Sequence, residues 1–254
     1  MEKLRKPFQG VTNIIRFNWH FYLLSSIIVL MLLISNYFLN KNFHFYINVL
    51  CTIIIATTLI TLIASFYIYD LSNLYSLSWL NGLTIKPNAS IININAGFDE
   101  TSELLSLKFP AAELTVFDFY DPRKHTEVSI KRARKAYPPY KNTIAINTTT
   151  LPLKNNSADN ILVIFAAHEI RNNDERIFFL KELHRVLKDD GKIIITEHLR
   201  DLPNFIVYNI GFFHFLPLAT WLATFNNAQL KVSEEIKTTA FITSFILTKN
   251  DIAS

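Results

Sequence analysis

Four histidines of this sequence follow predicted strands, where side chains of ligand-binding sheets commonly meet. The pKa of histidine lies near neutrality, so such a residue can take a proton from a substrate. Histidine and carboxylate side chains together are also ligands for transition metals, and hydrogen-bonded loop residues are the third possibility. We predict a general base, with His168 first and His198 second, and no metal. The strand-end histidines are His125, His168, His198 and His214. The histidine–glutamate segments His125-Thr126-Glu127, His168-Glu169 and Glu197-His198 are expected to converge on one cleft.

Polar residues also follow the three predicted strands in the first half of the sheet. Asn95, Gly97 and Asp99 form the turn after the first strand. Asp118 ends the second strand about twenty positions past that turn, where an acidic residue hydrogen-bonds ribose hydroxyls in nucleotide-binding sheets. Asn147 ends the third strand, and its side-chain carbonyl can accept a hydrogen bond. Asp118 as a plain turn residue and Asp99 as a helix cap are the alternatives.

A strand, a helix and a second strand in succession are predicted to position His168 and His198. Asn160 to Phe165 and Lys192 to Glu197 are short, apolar and β-branched, which indicates strands buried on both faces. Between them, apolar residues recur at helical spacing. Asp189-Asp190-Gly191 is predicted to end the helix, with Gly191 in a left-handed conformation. Such a unit forms a right-handed parallel crossover.

Strands and helices alternate through the rest of the chain from Ser90 onward. Strands are predicted at Ser90 to Asn95, Glu113 to Asp118 and Thr143 to Asn147, with a helix over Glu127 to Ala136. Gln229 to Glu235 and Phe241 to Thr248 alternate apolar and polar residues, as closing strands do. The pattern predicts a doubly wound, mostly parallel α/β sheet.

One ordered set of residues carries a family resemblance. Leu151-Pro152, Asp159, His168, Arg185-Val186-Leu187, Gly191 and Glu197 follow one another as in class I S-adenosylmethionine-dependent methyltransferases, particularly those with a type 11-like domain. The chain resembles this family over roughly residues 90–249, more closely in the second half of that range than in the first. The resemblance implies a class I methyltransferase fold and S-adenosylmethionine as the cofactor.

The resemblance also assigns roles to the first set of polar residues. The family's glycine-rich cofactor loop falls on Asn95, Gly97 and Asp99, so only its middle glycine is kept. Asp118 is implied to hold the cofactor's ribose, and Asn147 to contact the adenine amino group. The degenerate loop leaves two functions open: an active methyltransferase, or a methyltransferase fold that serves as an inactive interaction module at the membrane.

Two uncharged apolar stretches precede the sheet. They cover residues 20–39 and 45–69, and each is long enough to cross a bilayer. A signal peptide and a buried helical hairpin are the alternatives to a transmembrane hairpin. Four basic residues precede the first stretch, whereas the loop between them has only Lys41, which predicts a two-pass inner-membrane protein with both termini in the cytoplasm. The predicted domains are therefore an anchor at 1–70, a connector at 71–89 and a methyltransferase-like domain at 90–254. The leucines of the connector predict a short amphipathic helix that lies either on the membrane or on the domain.

The charge distribution argues against nucleic acid as a partner. Five of the 25 Lys and Arg residues and two of the 21 Asp and Glu residues lie before residue 71, which leaves 20 basic and 19 acidic residues in the remainder. A nucleic-acid surface needs a basic excess that this remainder lacks. Surface ion pairs are predicted for most of the arginines beside the acidic strand ends, with an anionic lipid or substrate headgroup as the alternative; they are Arg132, Arg134, Arg171, Arg176 and Arg200. Cys51 is the single cysteine, so an intrachain disulfide and a CxxC zinc site are both excluded. The oligomeric state stays open.

The stretch from Phe205 to Trp221 is unusually rich in aromatic residues. It predicts either a core helix over the sheet or an interfacial lid that rests on the bilayer. A lid would suit a small-molecule acceptor that is lipid-like or quinone-like. We therefore expect a membrane-anchored methyltransferase whose partners are the lipid bilayer and such an acceptor.

Overall fold

The computed structural model describes residues 5–250 and divides the chain into two compact units. Residues up to Ser72 together with Ile206–Asn209 form the first unit, and the remainder forms the second. Lys3, one of the basic residues before the first apolar stretch, lies outside the described residues, as do the outer ends of the predicted anchor and catalytic domain.

Two long helices make up the first unit. Helix α1 runs over Gln9–Phe38 and α2 over Lys41–Phe66, so each begins before the corresponding apolar stretch, and a π-helical turn, Tyr67–Leu71, extends α2. The mean hydropathy reaches 2.0 in α1 and 2.4 in α2, and most of their apolar side chains are exposed. Length and composition therefore permit both helices to cross a membrane.

The carboxylate of Asp70 joins the two ends of this hairpin. It accepts hydrogen bonds from the backbone N–H groups of Gly10 and Val11, both at 2.8 Å. These amides belong to the first turn of α1, where N–H groups have no partner within the helix and a negative charge is favourable. The backbone approaches closely here, since a Cβ at Gly10 would lie 2.4 Å from Tyr69 Cβ.

The second unit contains a seven-stranded sheet of strand order β3-β2-β1-β4-β5-β7-β6. The first five strands in this order pair in parallel, and β7 pairs antiparallel with both β5 and β6. The prediction of a doubly wound, mostly parallel α/β sheet is confirmed. The strands are β1 (Ser90–Asn95), β2 (Glu113–Asp118), β3 (Ile144–Ala145), β4 (Ala158–Ile164), β5 (Leu187–His198), β6 (Leu230–Thr239) and β7 (Ile242–Lys249).

Five helices accompany these strands. Helix α5 follows β4 with its apolar face buried, and Phe179, Leu180 and Leu183 all belong to the main hydrophobic core. Burial of such side chains is the main favourable contribution to the stability of the domain. These helices are α3 (Ser102–Lys108), α4 (Val128–Ala136), α5 (Asn173–Val186), α6 (Leu202–Tyr208) and α7 (Leu218–Asn227), and the last three residues of α6 belong to the first unit.

The predicted end of α5 at Gly191 is wrong. The helix ends at Val186, and Leu187 already has extended angles (φ −68°, ψ 137°) because it begins β5. Gly191 lies inside that strand, and among the described glycines only Gly97 has a positive φ. Glycine is needed at 191 for space, since a Cβ would lie 2.9 Å from the carbonyl oxygen of Asp159 and 2.8 Å from Leu187 Cδ1.

The connector before the sheet packs on the domain. Its only helical piece in the second unit is a short 3₁₀ turn, Ser78–Leu80, in place of the predicted amphipathic helix. Leu77, Leu80 and Leu83 are buried and belong to the same core cluster as Ile91 of β1. These leucines therefore contribute to the domain core, which was one of the two roles predicted for them.

The chain changes direction across the sheet at β1. From β1 it proceeds outward through β2 to β3, then returns to place β4 on the other side of β1. Crevices outside the carboxyl ends of strands at such a switch point are where open α/β sheets bind ligands. The turns after β1 and β4, beginning at Ala96 and Phe165, flank this point.

Candidate active site

The turn after β1 is held by hydrogen bonds of its own side chains. Asn95 Oδ1 accepts from the backbone N–H of Gly97 at 3.1 Å. Asp99 Oδ1 accepts from the N–H groups of Thr101 and Ser102, both at 2.9 Å, where α3 begins. Asp99 thus has the helix-capping role that was one of its two predicted functions.

Gly97 is the one residue of the turn whose backbone requires glycine. Its φ is +96°, a region that side chains strongly disfavour. A Cβ there would lie 2.8 Å from Tyr120 Cδ2 and 3.1 Å from Arg134 Cδ. The side chains of Tyr120 and Arg134 therefore cover the glycine turn.

Two buried polar atoms beside this turn have no hydrogen-bond partner among the described residues. They are the amide nitrogen Nδ2 of Asn95 and the carboxylate oxygen Oδ2 of Asp99. Leaving buried polar groups unpaired is costly, so each such atom calls for an explanation. An amide donor and a carboxylate acceptor are complementary to the carboxylate and the ammonium of an amino-acid group, and in this respect the turn fits the methionine end of S-adenosylmethionine.

Asp118 lies at the carboxyl end of β2 and is buried. Its Oδ2 accepts a short hydrogen bond from Arg134 Nη1 of α4, and its Oδ1 accepts from the backbone N–H of Tyr120 at 2.9 Å. The Arg134 guanidinium carbon also lies 4.4 Å from the centroid of the Tyr120 ring. The position of Asp118 fits the predicted ribose contact, but Arg134 now holds the oxygen that a ribose hydroxyl would approach.

A pocket of about 580 Å³ opens beside Asp118, at the carboxyl ends of β2 and β3. Asn147 lines it, as predicted for an adenine site, but its Oδ1 already accepts hydrogen bonds from the N–H groups of Thr149 and Thr150 and from the Thr149 hydroxyl. Contact between the Asn147 carbonyl and an adenine amino group thus stays a prediction that the local turn opposes. Sequence reasoning missed the apolar lining residues Phe119 and Ile146.

His125 belongs to this pocket and is not among the histidines that the structure brings together after β4. Its Nδ1 accepts from the backbone N–H of Asp121 at 2.8 Å, and its ring stacks on Tyr120 with centroids 5.5 Å apart. The expectation that His125 converges with His168 and His198 on one cleft is therefore wrong. The loop after β2 turns His125 back on its own strand.

His168 is buried in a cluster of carboxylates at the carboxyl ends of β4 and β5. Its Nδ1 lies 2.6 Å from Glu197 Oε2, and its backbone N–H donates to Glu197 Oε1 at 3.1 Å. Its other ring nitrogen, Nε2, lies 3.2 Å from Glu169 Oε1. Glu197 was predicted to act with its neighbour His198, but alternation along the strand places its carboxylate beside His168 instead.

The charge state of His168 follows from these contacts. Burial alone would lower the pKa of His168, but the carboxylates of Glu197 and Glu169 outweigh it and raise the pKa to about 10. Burial would raise the pKa of Glu169, but hydrogen bonds from His168 and His214 lower it well below its usual range. His168 is thus an imidazolium at neutral pH. It is placed to donate hydrogen bonds, in contrast to the predicted general base.

His198 has the opposite character. Its ring is stacked between Phe165 and Phe215, with centroids 5.3 and 4.8 Å away. Its Nδ1 lies 3.0 Å from the Phe241 carbonyl oxygen and 3.2 Å from Asn204 Oδ1. Burial lowers the pKa of His198 to about 4, so the ring is neutral at neutral pH. These contacts favour a structural role over the predicted catalytic one.

His214 completes the cluster around Glu169, although it was not selected as a site residue from the sequence. It lies at the end of the 3₁₀ turn Asn209–His214, and its Nε2 is 3.5 Å from Glu169 Oε1. Its Nδ1 is 3.1 Å from Glu127 Oε1, and Arg171 donates to its carbonyl oxygen at 2.7 Å. Burial would lower the pKa of His214, but the hydrogen bonds to Glu127 and Glu169 raise it. The signal in the sequence was a histidine at the end of an aromatic stretch that was otherwise apolar.

The remaining arginines of this region make few surface salt bridges. Arg176 is almost fully buried and donates to the Ile170 carbonyl oxygen at 2.9 Å. Arg200 donates to the carbonyl oxygens of Phe213 and Phe215 at 2.6 and 2.7 Å. These two arginines therefore fix the backbone around the histidine cluster, whereas surface ion pairs had been predicted for most arginines here.

A comparison with known proteins bears on the part of the chain that contains most of these site residues. Residues 97–195 match the family described as "Methyltransferase domain". This range runs from the glycine turn to β5 and includes Asp118, Asn147 and His168. No curated protein sequence matches the chain at a significant level.

Solved structures with a similar fold include several methyltransferases. A chain from the complex between the Haloferax volcanii Trm112 methyltransferase activator and a methyltransferase has a TM-score of 0.50 at 12% identity, covering 70% of this chain and 90% of its own. An Aquifex aeolicus SAM-dependent methyltransferase has a TM-score of 0.49 at 15% identity, covering 75% and 97%. A structure of LepI in complex with SAM has a TM-score of 0.49 at 12% identity, covering 70% and 47%.

The seven-stranded sheet and the match over residues 97–195 lead to the same assignment. At these identities the structural likeness shows the fold alone. The sequence match over residues 97–195 and the neighbours together support S-adenosylmethionine as the cofactor. The chain therefore has the class I methyltransferase fold, and its residues 97–195 match the methyltransferase domain family.

Proposed function

We propose that this protein is a two-pass inner-membrane methyltransferase with its catalytic domain in the cytoplasm, which transfers a methyl group from S-adenosylmethionine to a lipid-like or quinone-like acceptor. Such transfer depends mainly on holding the two reactants in line, so few catalytic side chains are required. The proposal has three parts, namely the cofactor, the anchor and the acceptor, and each rests on different residues.

The proposed class of acceptor rests on the turn Asn209–His214, which combines exposed apolar side chains with a histidine of the charged cluster. Its apolar side chains Ile210 and Phe213 are exposed by 84% and 62%. Its last residue, His214, reaches the buried carboxylate of Glu169. A molecule with an apolar tail and a polar reactive group can contact both, because the tail would cover Ile210 and Phe213 while the polar group meets the charged cluster.

The anchor supports the same acceptor class. Helices α1 and α2 expose apolar side chains along most of their length, which suits lipid as the surrounding solvent. Residues Ile206–Asn209 pack within the same compact unit as these helices, and the Thr61 hydroxyl of α2 donates to the Val207 carbonyl oxygen at 2.5 Å. Residues 206–209 of the aromatic stretch thus belong to the hairpin unit, which supports the interfacial lid over a core helix.

The cofactor supplies an activated methyl group on a sulfonium centre. Asn95 and Asp99 would hold its amino-acid end through their two unpaired atoms, and Asp118 its ribose. The pocket lined by Phe119 and Ile146 would receive its adenine. Use of Asp118 requires that Arg134 turn away or share the carboxylate.

Proton movement at the acceptor would fall to the histidine cluster. His168 carries a proton at neutral pH, and His214 lies on the accessible side of the cluster with 27% of its side chain exposed. An oxygen or nitrogen acceptor loses a proton when it is methylated, and a nearby imidazole or carboxylate can take it. His214 is the residue that would take that proton, because hydrogen bonds, against the effect of burial, hold the pKa of Glu169 well below its usual range.

The test uses the full-length protein in lipid nanodiscs with S-adenosylmethionine labelled in its methyl group and an extract of native membrane lipids. We expect label to enter the organic phase. Phe213→Ser should reduce this transfer at least about tenfold while binding of the cofactor is kept. Phe178→Ser is the matched control, because Phe178 is a similarly exposed phenylalanine (60%) on α5 and is not part of the aromatic stretch. Label confined to water-soluble products, or equal loss in both variants, would contradict the acceptor class.

One observation favours the alternative, an interaction module without catalysis. The Arg134 side chain pairs with Asp118 and stacks on Tyr120, so that both cover the glycine turn. Calorimetric titration of the full-length protein with S-adenosylmethionine separates the two functions. Saturable binding supports the enzyme, and absence of binding by both the wild type and Arg134→Ala would support the module.

A further inference from the structure

Three ligand-type side chains converge at the carboxyl ends of β4 and β5. His168 Nε2 and His214 Nε2 lie 3.2 and 3.5 Å from the same atom, Glu169 Oε1. The three residues can each present one ligand atom within 4.8 Å of the others. The two imidazole rings are 5.0 Å apart between centroids and lie at 73° to each other.

We propose that His168, Glu169 and His214 bind a divalent transition-metal ion such as zinc. Two imidazoles and one carboxylate are a ligand set that zinc, iron and manganese accept, and it leaves coordination positions for water or a substrate. The cofactor residues Asn95, Asp99 and Asp118 are not part of this site, but the histidine cluster assigned to proton movement is, so a role of the ion in the reaction rests on the proposed methyl transfer. The site differs from the sequence prediction, which was of no metal. The ion could orient an oxygen of the acceptor as a Lewis acid.

The spacing of the ligand atoms agrees with coordination. Ligand atoms about 2.1 Å from a tetrahedral ion lie about 3.4 Å from one another. The two separations measured from Glu169 Oε1, 3.2 and 3.5 Å, bracket this value. The third separation, between the two imidazole ligand atoms, is within 4.8 Å, so the two rings would have to move closer to each other to admit an ion.

Carboxylates behind both histidines provide the strongest support. His168 Nδ1 faces Glu197 Oε2 at 2.6 Å, and His214 Nδ1 faces Glu127 Oε1 at 3.1 Å. A carboxylate on Nδ1 fixes the ring and turns Nε2 toward a metal, as is usual for metal-bound histidine. The ion would displace the proton that Nε2 of His168 otherwise carries at neutral pH. Both Nε2 atoms then point toward the same atom, Glu169 Oε1.

The charges of the cluster also favour a cation. Glu127, Glu169 and Glu197 surround the two imidazoles, and Arg171 is the basic residue that contacts them. Arg171 Nη2 lies 2.6 Å from His214 Nε2 and 3.4 Å from Glu127 Oε1. Binding of the ion displaces this Nη2 contact, while Arg171 Nη1 can keep its hydrogen bond to the His214 carbonyl oxygen.

The test measures metal content and does not depend on methyl transfer. The full-length protein, purified in detergent through a tag without histidines, is loaded separately with Zn²⁺, Mn²⁺ or Fe²⁺, dialysed and analysed by mass spectrometry. We expect about one equivalent of one of these ions in the wild type and in His184→Ala, the control on α5. His214→Ala and Glu169→Gln should each lower the content at least about tenfold.

A second measurement does not require replacement of a ligand residue, so it still tests the site if the ligand variants fold poorly. The cobalt-substituted wild type should show visible absorption bands of four- or five-coordinate Co²⁺, and Glu197→Gln should shift them and weaken cobalt affinity about 10–100-fold. Less than a tenth of an equivalent with every ion would overturn the proposal. So would equal metal content in the wild type and His214→Ala, since the ion would then lie elsewhere. Either result leaves the proposed methyl transfer intact.

Discussion

Glu197 and His168 are 29 positions apart in sequence, yet the carboxylate of Glu197 accepts hydrogen bonds from both the backbone and the ring of His168. The two contacts measure 3.1 and 2.6 Å. Parallel pairing of β4 with β5 sets Ile164 opposite Thr196, which brings the ends of the two strands level. The 3₁₀ turn Ala167–Glu169 then folds His168 back over the end of β5. Sheet register therefore positions the central pair of the site.

This pair predicts that the protein loses stability as the pH rises from neutral to alkaline. The pKa of His168 is about 10 in the folded state and near its ordinary value of 6.5 when unfolded. Folding therefore favours the protonated form, and that stabilisation is complete below pH 6.5 and is lost as the pH rises toward 10. The melting temperature, measured in detergent with a chelator present, should fall over this interval.

Glu197→Gln provides the comparison for that titration. It removes the buried negative charge that raises the pKa of His168, so the alkaline fall in melting temperature should become smaller. At pH 7 the variant should lose about 1–3 kcal/mol of unfolding free energy. Identical pH profiles for Glu197→Gln and the wild type would show that this pair does not determine the titration.

His198 should behave as a structural residue. Its pKa of about 4 lies below the ordinary value, so folding favours the neutral ring, and the resulting stability is present above pH 6.5 and lost as the pH falls toward 4. His198→Ala also leaves a gap between Phe165 and Phe215, and we expect a loss of about 2–4 kcal/mol. Affinity for S-adenosylmethionine, measured by calorimetry, should change less than about twofold. A folded His198→Ala variant that binds the cofactor but transfers no methyl group would indicate a catalytic role for His198.

Asp118 and Arg134 should have opposite effects on cofactor affinity. Asp118→Ala removes the ribose contact and should weaken binding of S-adenosylmethionine by about 1–3 kcal/mol. Arg134→Ala frees the Asp118 carboxylate and uncovers Gly97, so it should tighten binding several-fold. Arg132→Ala on the same helix is the control. Weaker binding in Arg134→Ala would mean that Arg134 contacts the cofactor.

Restoring glycine in the turn after β1 should weaken the site. Asn95 and Asp99 hold the turn and the start of α3 through their own hydrogen bonds, and each has a second atom left to bind the cofactor. Asp99→Gly should lower the unfolding free energy by about 1 kcal/mol, the usual effect of losing a helix cap. The double variant with Asn95→Gly should bind S-adenosylmethionine less tightly. Tighter binding would show that the side chains only obstruct the turn.

The sheet could be predicted from sequence because its strands carry a strong local signal. Ile193, Ile194 and Ile195 are fully buried and β-branched, and a run of this kind is typical of a central parallel strand. The end of α5 was placed wrongly at Gly191 because glycine signals either a left-handed residue or a close approach. The second reason applies here, and it depends on Asp159 from the neighbouring strand.

The site was less predictable because its pairs form across elements. Glu197 was expected to act with His198, its neighbour in sequence, but adjacent residues of a strand point to opposite faces. The pairing of His168 with His214 depends on where the turn Asn209–His214 lies, and the pattern of apolar residues in the sequence does not predict that position. Arg134 was assigned to surface pairing, whereas the exit of the chain from β2 places Asp118 beside it.

The last prediction concerns the orientation of the hairpin, which can be tested by cysteine labelling because the native sequence has a single cysteine. Cys51 is buried in α2, so Cys51→Ser provides a cysteine-free background for labelling of intact cells with a membrane-impermeant maleimide. Asn42→Cys, in the first turn of α2, should react from outside, because the positive-inside rule predicts a cytoplasmic N-terminus and so an external loop between the two helices. Lys181→Cys, exposed on α5, should react only after the cells are lysed. The opposite labelling pattern would invert the topology, and labelling of both positions in intact cells would contradict a membrane anchor with a cytoplasmic domain.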